Sequence, residues 1–441
     1  FAGVCAGVVS VRPLKNGRTE VRWADGHHSV FVNAWLRDHC HCTECLDGAT
    51  GQRGFDSADL PADPAGLTLR PVPTDAELAA SVIHLASEEA VSGAVDSHHL
   101  VELPAGFLRQ HCHKDAGSAP GVADHAGTEG VEMLWSPAAL SVDVAAMGGG
   151  TAPTHLAHVP TVLATDVVGS PAVAGPQLRS HLKRYGIVFV AGVDTAGGAY
   201  EATERLVRQH IGFPRETFWG TLWDTAGEAL NEFEEDRPPD TAYTTLPLKV
   251  HTDCTYLRDP PQLQVFLCAE PAPDGGASTF RDAFDAARSV WASSREAFRF
   301  FCQTPLPFHC VHDGVRTVAV GTPFVLRYPL GPAEWEMALS SPEGNSMPPL
   351  AMVRYNNDDR APFANLDADE VAAFYRHLPV LLAALRDDDA TLEVELARGD
   401  MVIVDNHRVM HGRRGFDGFG NRWLVGCYAE MDEVDTKNFV G

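Results

Sequence analysis

Two groups of side chains in this sequence have the types and spacing to hold metal ions. The first is His251-Thr252-Asp253, within residues 250–256, read together with His411 in Val409-Met410-His411-Gly412-Arg413 near the far end. If residues 250–256 are extended, His251 and Asp253 point to one face, because side chains on a strand alternate with period two. A histidine and a carboxylate two apart, completed by a distant histidine, make the 2-His-1-carboxylate set that takes Fe(II) and leaves three adjacent positions open. Taken alone, His-x-Asp also fits two residues that only hydrogen-bond. The second group is Cys40, Cys42 and Cys45, three thiols within six residues. They can converge on one tetrahedral Zn(II), which then needs a fourth ligand from elsewhere.

An internal echo offers that ligand. His27-His28-Ser29-Val30 running to Trp35-Leu36-Arg37-Asp38-His39-Cys40-His41 recurs as His98-His99-Leu100-Val101 running to Phe107-Leu108-Arg109-Gln110-His111-Cys112-His113. We read two copies of a small β unit. A histidine of the second copy, His99 before the others, would close a Cys3His site, structural because four protein ligands leave no open position. The alternative is three reduced cysteines without a metal.

The elements that must position these groups follow from periodicity. Residues 8–32 read as a meander, with turns at Lys15-Asn16-Gly17 and Ala24-Asp25-Gly26. A Gly-, Ala- and Pro-rich stretch at 116–155 has little periodicity and reads as an inserted loop or linker. This sets the expected division: a β-rich N-terminal zinc-binding domain at 1–115, the linker at 116–155, and a catalytic domain at 156–441. In the last, helices are expected at 176–185, 198–211, 285–301 and 367–387, and strands at 186–190, 260–268, 275–284, 315–328, 349–355, 391–396, 400–404 and 421–429. Many short strands with long helices give an α+β class whose catalytic part is a double-stranded β-helix, two facing sheets of a jelly-roll.

Composition narrows the partners. With 441 residues and 45% hydrophobic content the chain can bury a large core over two or more domains. A formal charge of −25, with no basic block, argues against a nucleic-acid or anionic-membrane partner and for a small molecule. No charge-free apolar run reaches the ~18 residues that span a bilayer. Ten unevenly placed cysteines do not make a disulfide scaffold, and the cluster among them points to a reducing compartment. The start at Phe1 suggests a leader that has been removed.

The residues then carry a resemblance. Asp240-Thr241-Ala242-Tyr243-Thr244, His251-Thr252-Asp253, Arg354-Tyr355-Asn356-Asn357, the run from Val404 to Arg413, Gly426-Cys427-Tyr428 and the Trp-Leu-Arg-Asp-x-Cys-x-Cys-x-x-Cys phrase at 35–45 resemble the trimethyllysine and γ-butyrobetaine dioxygenases of carnitine biosynthesis. The resemblance implies Fe(II) on His251, Asp253 and His411, and 2-oxoglutarate gripped at its far carboxylate by Arg422, with Ser278 and Arg413 assisting. It implies ascorbate as reductant and an aromatic cage of Trp219, Trp223 and Tyr243 for a quaternary-ammonium amino acid. Such a cation has no N–H, so ring faces hold it by cation–π attraction, about 0.5–2 kcal/mol each. Asp240, facing an α-ammonium, and Asn357, facing an α-carboxylate, favour trimethyllysine, hydroxylated at C3. The intact cysteine cluster leans toward γ-butyrobetaine. A catalytically silent methyl-lysine-binding module is the other class, disfavoured by Arg422. A homodimer is compatible, and the compartment implied is the mitochondrial matrix in a eukaryote, the cytoplasm otherwise.

Overall fold

The computed structural model describes residues 7–15, 17–46, 67–72, 82–88, 99–110, 132–146, 152–169, 171–225, 242, 244–312, 315–340, 347–417 and 422–436. The chain falls into two compact units, Phe1–Gly127 and Thr128–Gly441.

In the first unit the sequence echo becomes a structural repeat. Strands Val8–Leu14, Arg18–Trp23 and His28–Val32 form one antiparallel sheet that leads into helix Asn33–Asp38. Strands Thr68–Pro71, Val82–Glu88 and Leu100–Pro104 form a second sheet that leads into helix Ala105–Gln110. Val21, Trp23, Phe31 and Leu36 of the first copy share a core with Leu69, Leu85, Val101 and Leu108 of the second. Sheets this small cannot bury an apolar face alone, so each covers the other.

The second unit is built on two facing sheets. One has six strands in the order Thr161–Leu163, Ile187–Ala191, Met401–Asp405, Leu263–Glu270, Trp423–Ala429 and Trp223–Asp224. The other has four, Leu248–His251, Val409–Arg413, Ser278–Asp282 and Leu392–Val394. Period-two alternation sorts their side chains. Val265, Leu267, Ile403, Val425 and Cys427 face outward onto helices Pro171–Tyr185 and Ala199–His210. Phe266, Val402 and Leu424 face inward and meet Phe280, Leu392 and Val409 of the four-stranded sheet. On the far side of that sheet Met410 joins a core with Phe298, Phe301, Phe374 and Leu381 from two further helices. This is the expected double-stranded β-helix. Among the described residues no helix is long and apolar enough to cross a membrane.

Two expectations change. Residues 116–155 are not wholly a loop, because Pro137–Ala146 is a helix whose Leu140 and Val144 enter the inter-sheet core with Trp135. The division between units, Gly127–Thr128, falls inside that expected linker. The helix expected over 285–301 is two helices, Ala283–Ser293 and Arg295–Gln303, parted at Ser294, whose extended backbone (φ −158°) starts the second and whose side chain accepts from the Ala297 N–H. Asp282 caps the first, its carboxylate accepting from Phe284 at 3.1 Å and Asp285 at 3.4 Å. The same carboxylate is paired with the buried Arg408 guanidinium at 2.9 Å and accepts the Trp135 N–H at 3.0 Å.

Candidate active site

The inward faces of the two sheets open into one cavity holding about 1170 Å³ of empty space, mouth included. His251 ends strand Leu248–His251, and in the antiparallel pairing with Val409–Arg413 it lies directly opposite His411. The expected extended run through residue 256 does not occur. The strand stops at His251 and the chain turns, with Thr252 N–H bound to the Tyr355 carbonyl and Cys254 in the left-handed region at φ 57°. A non-glycine residue held there is strained by about 1–3 kcal/mol, a mark of functional turns. The turn, not a flat strand, brings Asp253 to the histidines. Its Oδ1 stands 3.2 Å from His251 Nε2 and 3.7 Å from His411 Nε2. All three donor atoms lie within 4.8 Å of one another.

The donor set fits a metal ion. With bonds of about 2 Å at right angles, neighbouring donors stand about 3 Å apart, close to the spacing here. His251 Nδ1 donates to the Lys249 carbonyl at 2.8 Å, which fixes the tautomer and leaves Nε2 to face the site. Burial alone would push the His251 imidazole down, but the Asp253 carboxylate outweighs it and carries it up to about 9. Burial likewise works against the Asp253 charge, yet His411, His251 and the Tyr428 hydroxyl hold its carboxyl far below the usual range. His411 is driven down to about 3 by burial. The site thus favours a cation among these three groups.

Beyond the triad, Arg422 and Ser278 meet, Arg422 donating to Ser278 Oγ at 3.2 Å. Arg422 is 8% exposed, and burial followed by repulsion from Arg413 lowers it to about 10. A buried guanidinium in this position is matched to an anion entering the cavity. Arg413 also lines it but is committed to the backbone, donating to the carbonyls of Ala242 at 2.9 Å, Thr244 at 2.6 Å and Leu246 at 2.9 Å. Its place is to hold Ala242, Thr244 and Leu246 by their carbonyls.

Part of the lining is aromatic: Trp219, Trp223, Tyr256 and Tyr428. Trp219 Nε1 donates to the Tyr256 hydroxyl at 2.9 Å. Trp223 packs edge-on to Phe266 at 5.6 Å and tilted to Tyr428 at 5.7 Å between ring centroids. Its indole lies over Gly426, where an added Cβ would sit 2.5 Å from Cη2. Only glycine admits the ring at this approach.

Two expected residues, Asp240 and Tyr243, lie outside the described residues. Asn357 is exposed and is not part of the cavity lining, which takes Asn356, Asp358 and Asp359 instead. After strand Leu350–Val353 the chain leaves regular structure, so nothing periodic told the two asparagines apart. The sequence reading also missed three residues that hold Asp253. Tyr428 donates to its Oδ2 at 2.8 Å, Gln264 Nε2 donates to the same atom, and Asn406 Oδ1 accepts the Asp253 N–H at 2.8 Å. The available signal was a lone glutamine in the apolar run Leu263–Glu270.

In the N-terminal unit, Cys40, Cys42 and Cys45 surround His99 Nε2 with Sγ distances of 3.5, 3.6 and 3.3 Å. Bonds of about 2.3 Å to sulfur and 2.0–2.1 Å to nitrogen at the tetrahedral angle put S and N roughly 3.5 Å apart. Arg37 donates to Cys45 Sγ at 3.1 Å, and the Glu102 N–H to Cys40 Sγ at 3.3 Å. Such donors suit thiolates. The four-residue set therefore fits Zn(II).

Residues 162–428 match the model of the taurine catabolism dioxygenase TauD, TfdA family, and residues 13–79 that of the γ-butyrobetaine hydroxylase-like N-terminal region. Among curated relatives, the mitochondrial trimethyllysine dioxygenase of Rattus norvegicus is 29% identical over 416 residues, covering 93% of this chain and 83% of its own. The γ-butyrobetaine dioxygenase of Pseudomonas sp. strain AK-1 is 26% identical over 423 residues, covering 95% and 92%. Among solved structures, the non-haem iron oxygenase OrfP with Fe and α-ketoglutaric acid is 16% identical at a TM-score of 0.42, covering 69% of this chain and 92% of that one. With the catalytic-family match spanning well over half its length, the chain belongs to the taurine catabolism dioxygenase TauD, TfdA family and is an iron- and 2-oxoglutarate-dependent dioxygenase.

Proposed function

We propose that this enzyme hydroxylates N6,N6,N6-trimethyllysine at C3, the first step of carnitine biosynthesis. The observation that carries the reading is a single cavity whose lining brings together two imidazoles and a carboxylate, a buried guanidinium and several aromatic rings. His251, Asp253 and His411 hold the Fe(II), which, when bound, activates O2 as 2-oxoglutarate is decarboxylated to succinate and CO2. Arg422 and Ser278 take the far carboxylate of 2-oxoglutarate; a charged bond of this kind contributes about 1.5–3 kcal/mol. Trp219, Trp223 and Tyr428, with Tyr243, offer ring faces to the trimethylammonium, where each cation–π contact is worth roughly 0.5–2 kcal/mol. Asp240 pairs with the α-ammonium, and Asn356, a residue of the cavity lining, meets the α-carboxylate in place of Asn357. With both ends of the substrate held, regiochemistry follows from which carbon faces the metal.

The relatives' names support the choice of substrate class: one is a trimethyllysine dioxygenase and one a γ-butyrobetaine dioxygenase. In the N-terminal unit Cys40, Cys42, Cys45 and His99 hold a structural Zn(II), and ascorbate keeps the iron reduced. The compartment we assign is mitochondrial if the source is eukaryotic, after the rat relative's name. The test is anaerobic reconstitution with Fe(II) and 2-oxoglutarate, then exposure to O2 with each candidate amine separately, read by mass spectrometry. A product 16 mass units heavier, about one oxygen atom, from trimethyllysine alone supports the proposal. The same gain from γ-butyrobetaine alone replaces it with the second reading, and no 2-oxoglutarate consumption with either amine overturns both.

A further inference from the structure

A carboxylate beside a metal can bind through one oxygen or two, and only the first leaves three positions open in a 2-His-1-carboxylate site. The two oxygens of Asp253 have different surroundings. Oδ1 faces the imidazole Nε2 atoms of His251 and His411, at 3.2 and 3.7 Å. Oδ2 receives two donors, Tyr428 Oη at 2.8 Å and the Gln264 Nε2 amide. Asn406 fixes the backbone of the same residue on both sides of its Cα, accepting the Asp253 N–H at 2.8 Å and donating to the Asp253 carbonyl at 3.2 Å.

We infer that Gln264 is the positioning residue that keeps Asp253 monodentate, occupying Oδ2 so that only Oδ1 reaches the metal. Its own setting argues for that task. Gln264 is fully buried on the inward face of strand Leu263–Glu270, between neighbours that are all apolar. A buried amide in such a strand costs stability unless its hydrogen bonds compensate. Its Nε2 spends that capacity on Oδ2, and its Oε1 has no protein partner among the described residues. The amide orientation follows from the acceptor, because Oε1 turned toward Oδ2 would set two oxygens against each other. Removing the amide leaves Oδ2 one donor short, and the carboxylate is then free to rotate onto the metal with both oxygens. That rotation would take one of the three open positions, so that 2-oxoglutarate, whose keto and C1 carboxylate oxygens would fill the other two, would leave none for O2.

The inference rests on the iron reading, and its test separates the two. Under strict exclusion of O2, Fe(II) is titrated into protein with 2-oxoglutarate present, and the visible charge-transfer band of chelated 2-oxoglutarate is followed. No turnover occurs in this assay, and the thiols of the N-terminal unit do not contribute to the band. Gln264→Leu keeps the volume and removes the donor. Its band is expected to need at least tenfold more Fe(II) at an unchanged melting temperature, because outer partners of metal ligands are typically worth 10–100-fold in affinity. Gln264→Glu, which sets an acceptor against Oδ2, serves if the leucine variant fails to fold and is expected to show the same loss. A Gln264→Leu titration that overlays the parent overturns the inference, as does a loss confined to Gln264→Glu with Gln264→Leu folded and normal. His251→Ala is the control for the reading beneath it: a band that survives there removes the iron assignment itself.

Discussion

Gly426→Ala tests the aromatic wall without touching any group that holds 2-oxoglutarate or metal. Residue 426 pairs across the sheet with Trp223. A Cβ there would stand 2.5, 2.6 and 2.8 Å from Cη2, Cζ2 and Cζ3 of the indole. Carbon atoms rest about 3.5–4.0 Å apart, so the ring must retreat by roughly 1 Å. Phe266 and Tyr428 pack against the ring, so its movement is resisted and overpacking costs about 1–3 kcal/mol of stability. Losing one cation–π contact of about 0.5–2 kcal/mol corresponds to a roughly 2- to 30-fold rise in the KM for trimethyllysine. The Arg422–Ser278 pair does not depend on this ring, so the KM for 2-oxoglutarate should move less than about twofold, well under 1 kcal/mol. Succinate formation with each substrate varied in turn, alongside thermal unfolding, measures all three quantities. If both KM values rise together, or neither moves while stability falls, Trp223 is a packing residue and the cage argument fails.

Four further outcomes follow from the same geometry. Arg422→Lys should raise the KM for 2-oxoglutarate about 10- to 100-fold, a point charge replacing a planar fork, with Ser278→Ala giving a smaller rise of about fivefold for one hydrogen bond; the amine KM is the internal control. Asp282→Ala should cost about 3–5 kcal/mol in urea unfolding, because it strands the Arg408 guanidinium in the core; a loss below 1 kcal/mol contradicts that reading. Asp240→Asn should weaken trimethyllysine more than γ-butyrobetaine, and an unchanged ratio of the two kcat/KM values removes Asp240 as the discriminator. Cys42→Ala should lose about one equivalent of zinc by elemental analysis and lower the unfolding temperature of the N-terminal unit, as structural zinc contributes directly to folding. A metal content equal to that of the parent would show that no zinc sits there.

How much of this was legible in the sequence depended on whether a residue's type alone carried its chemistry. His251, Asp253 and His411 did, since few other reasons join that spacing to a distant histidine and Arg422. The link between Cys40, Cys42, Cys45 and His99 was visible because the chain repeats itself and the second copy offers a histidine; which of its histidines reaches the thiols is seen in the distances from His99 Nε2. The inward strands were less readable. In Leu263–Glu270 every residue but the last is buried, so hydrophobicity does not alternate and Gln264 could not be given a face. The turn after His251 was hidden for a different reason: it is imposed from outside, by the Tyr355 carbonyl and the Asn406 side chain, both more than a hundred positions away. The break at Ser294 had a local sign, a serine before Arg295-Glu296, which the apolar spacing on either side obscured.

The chelating set of the N-terminal unit is split between its two copies, with 54 residues separating Cys45 from His99 and 59 separating Cys40 from it. A ribosome adding about 5–20 residues each second therefore exposes the thiols several seconds before the imidazole that completes them. During that interval the emerging chain presents three closely spaced sulfurs with nothing to close the ring, open to oxidants and to softer ions such as Cu(I). With zinc as the ion proposed for this set, correct loading is a matter of timing as much as affinity, because the thiols meet competing ions before their fourth ligand emerges.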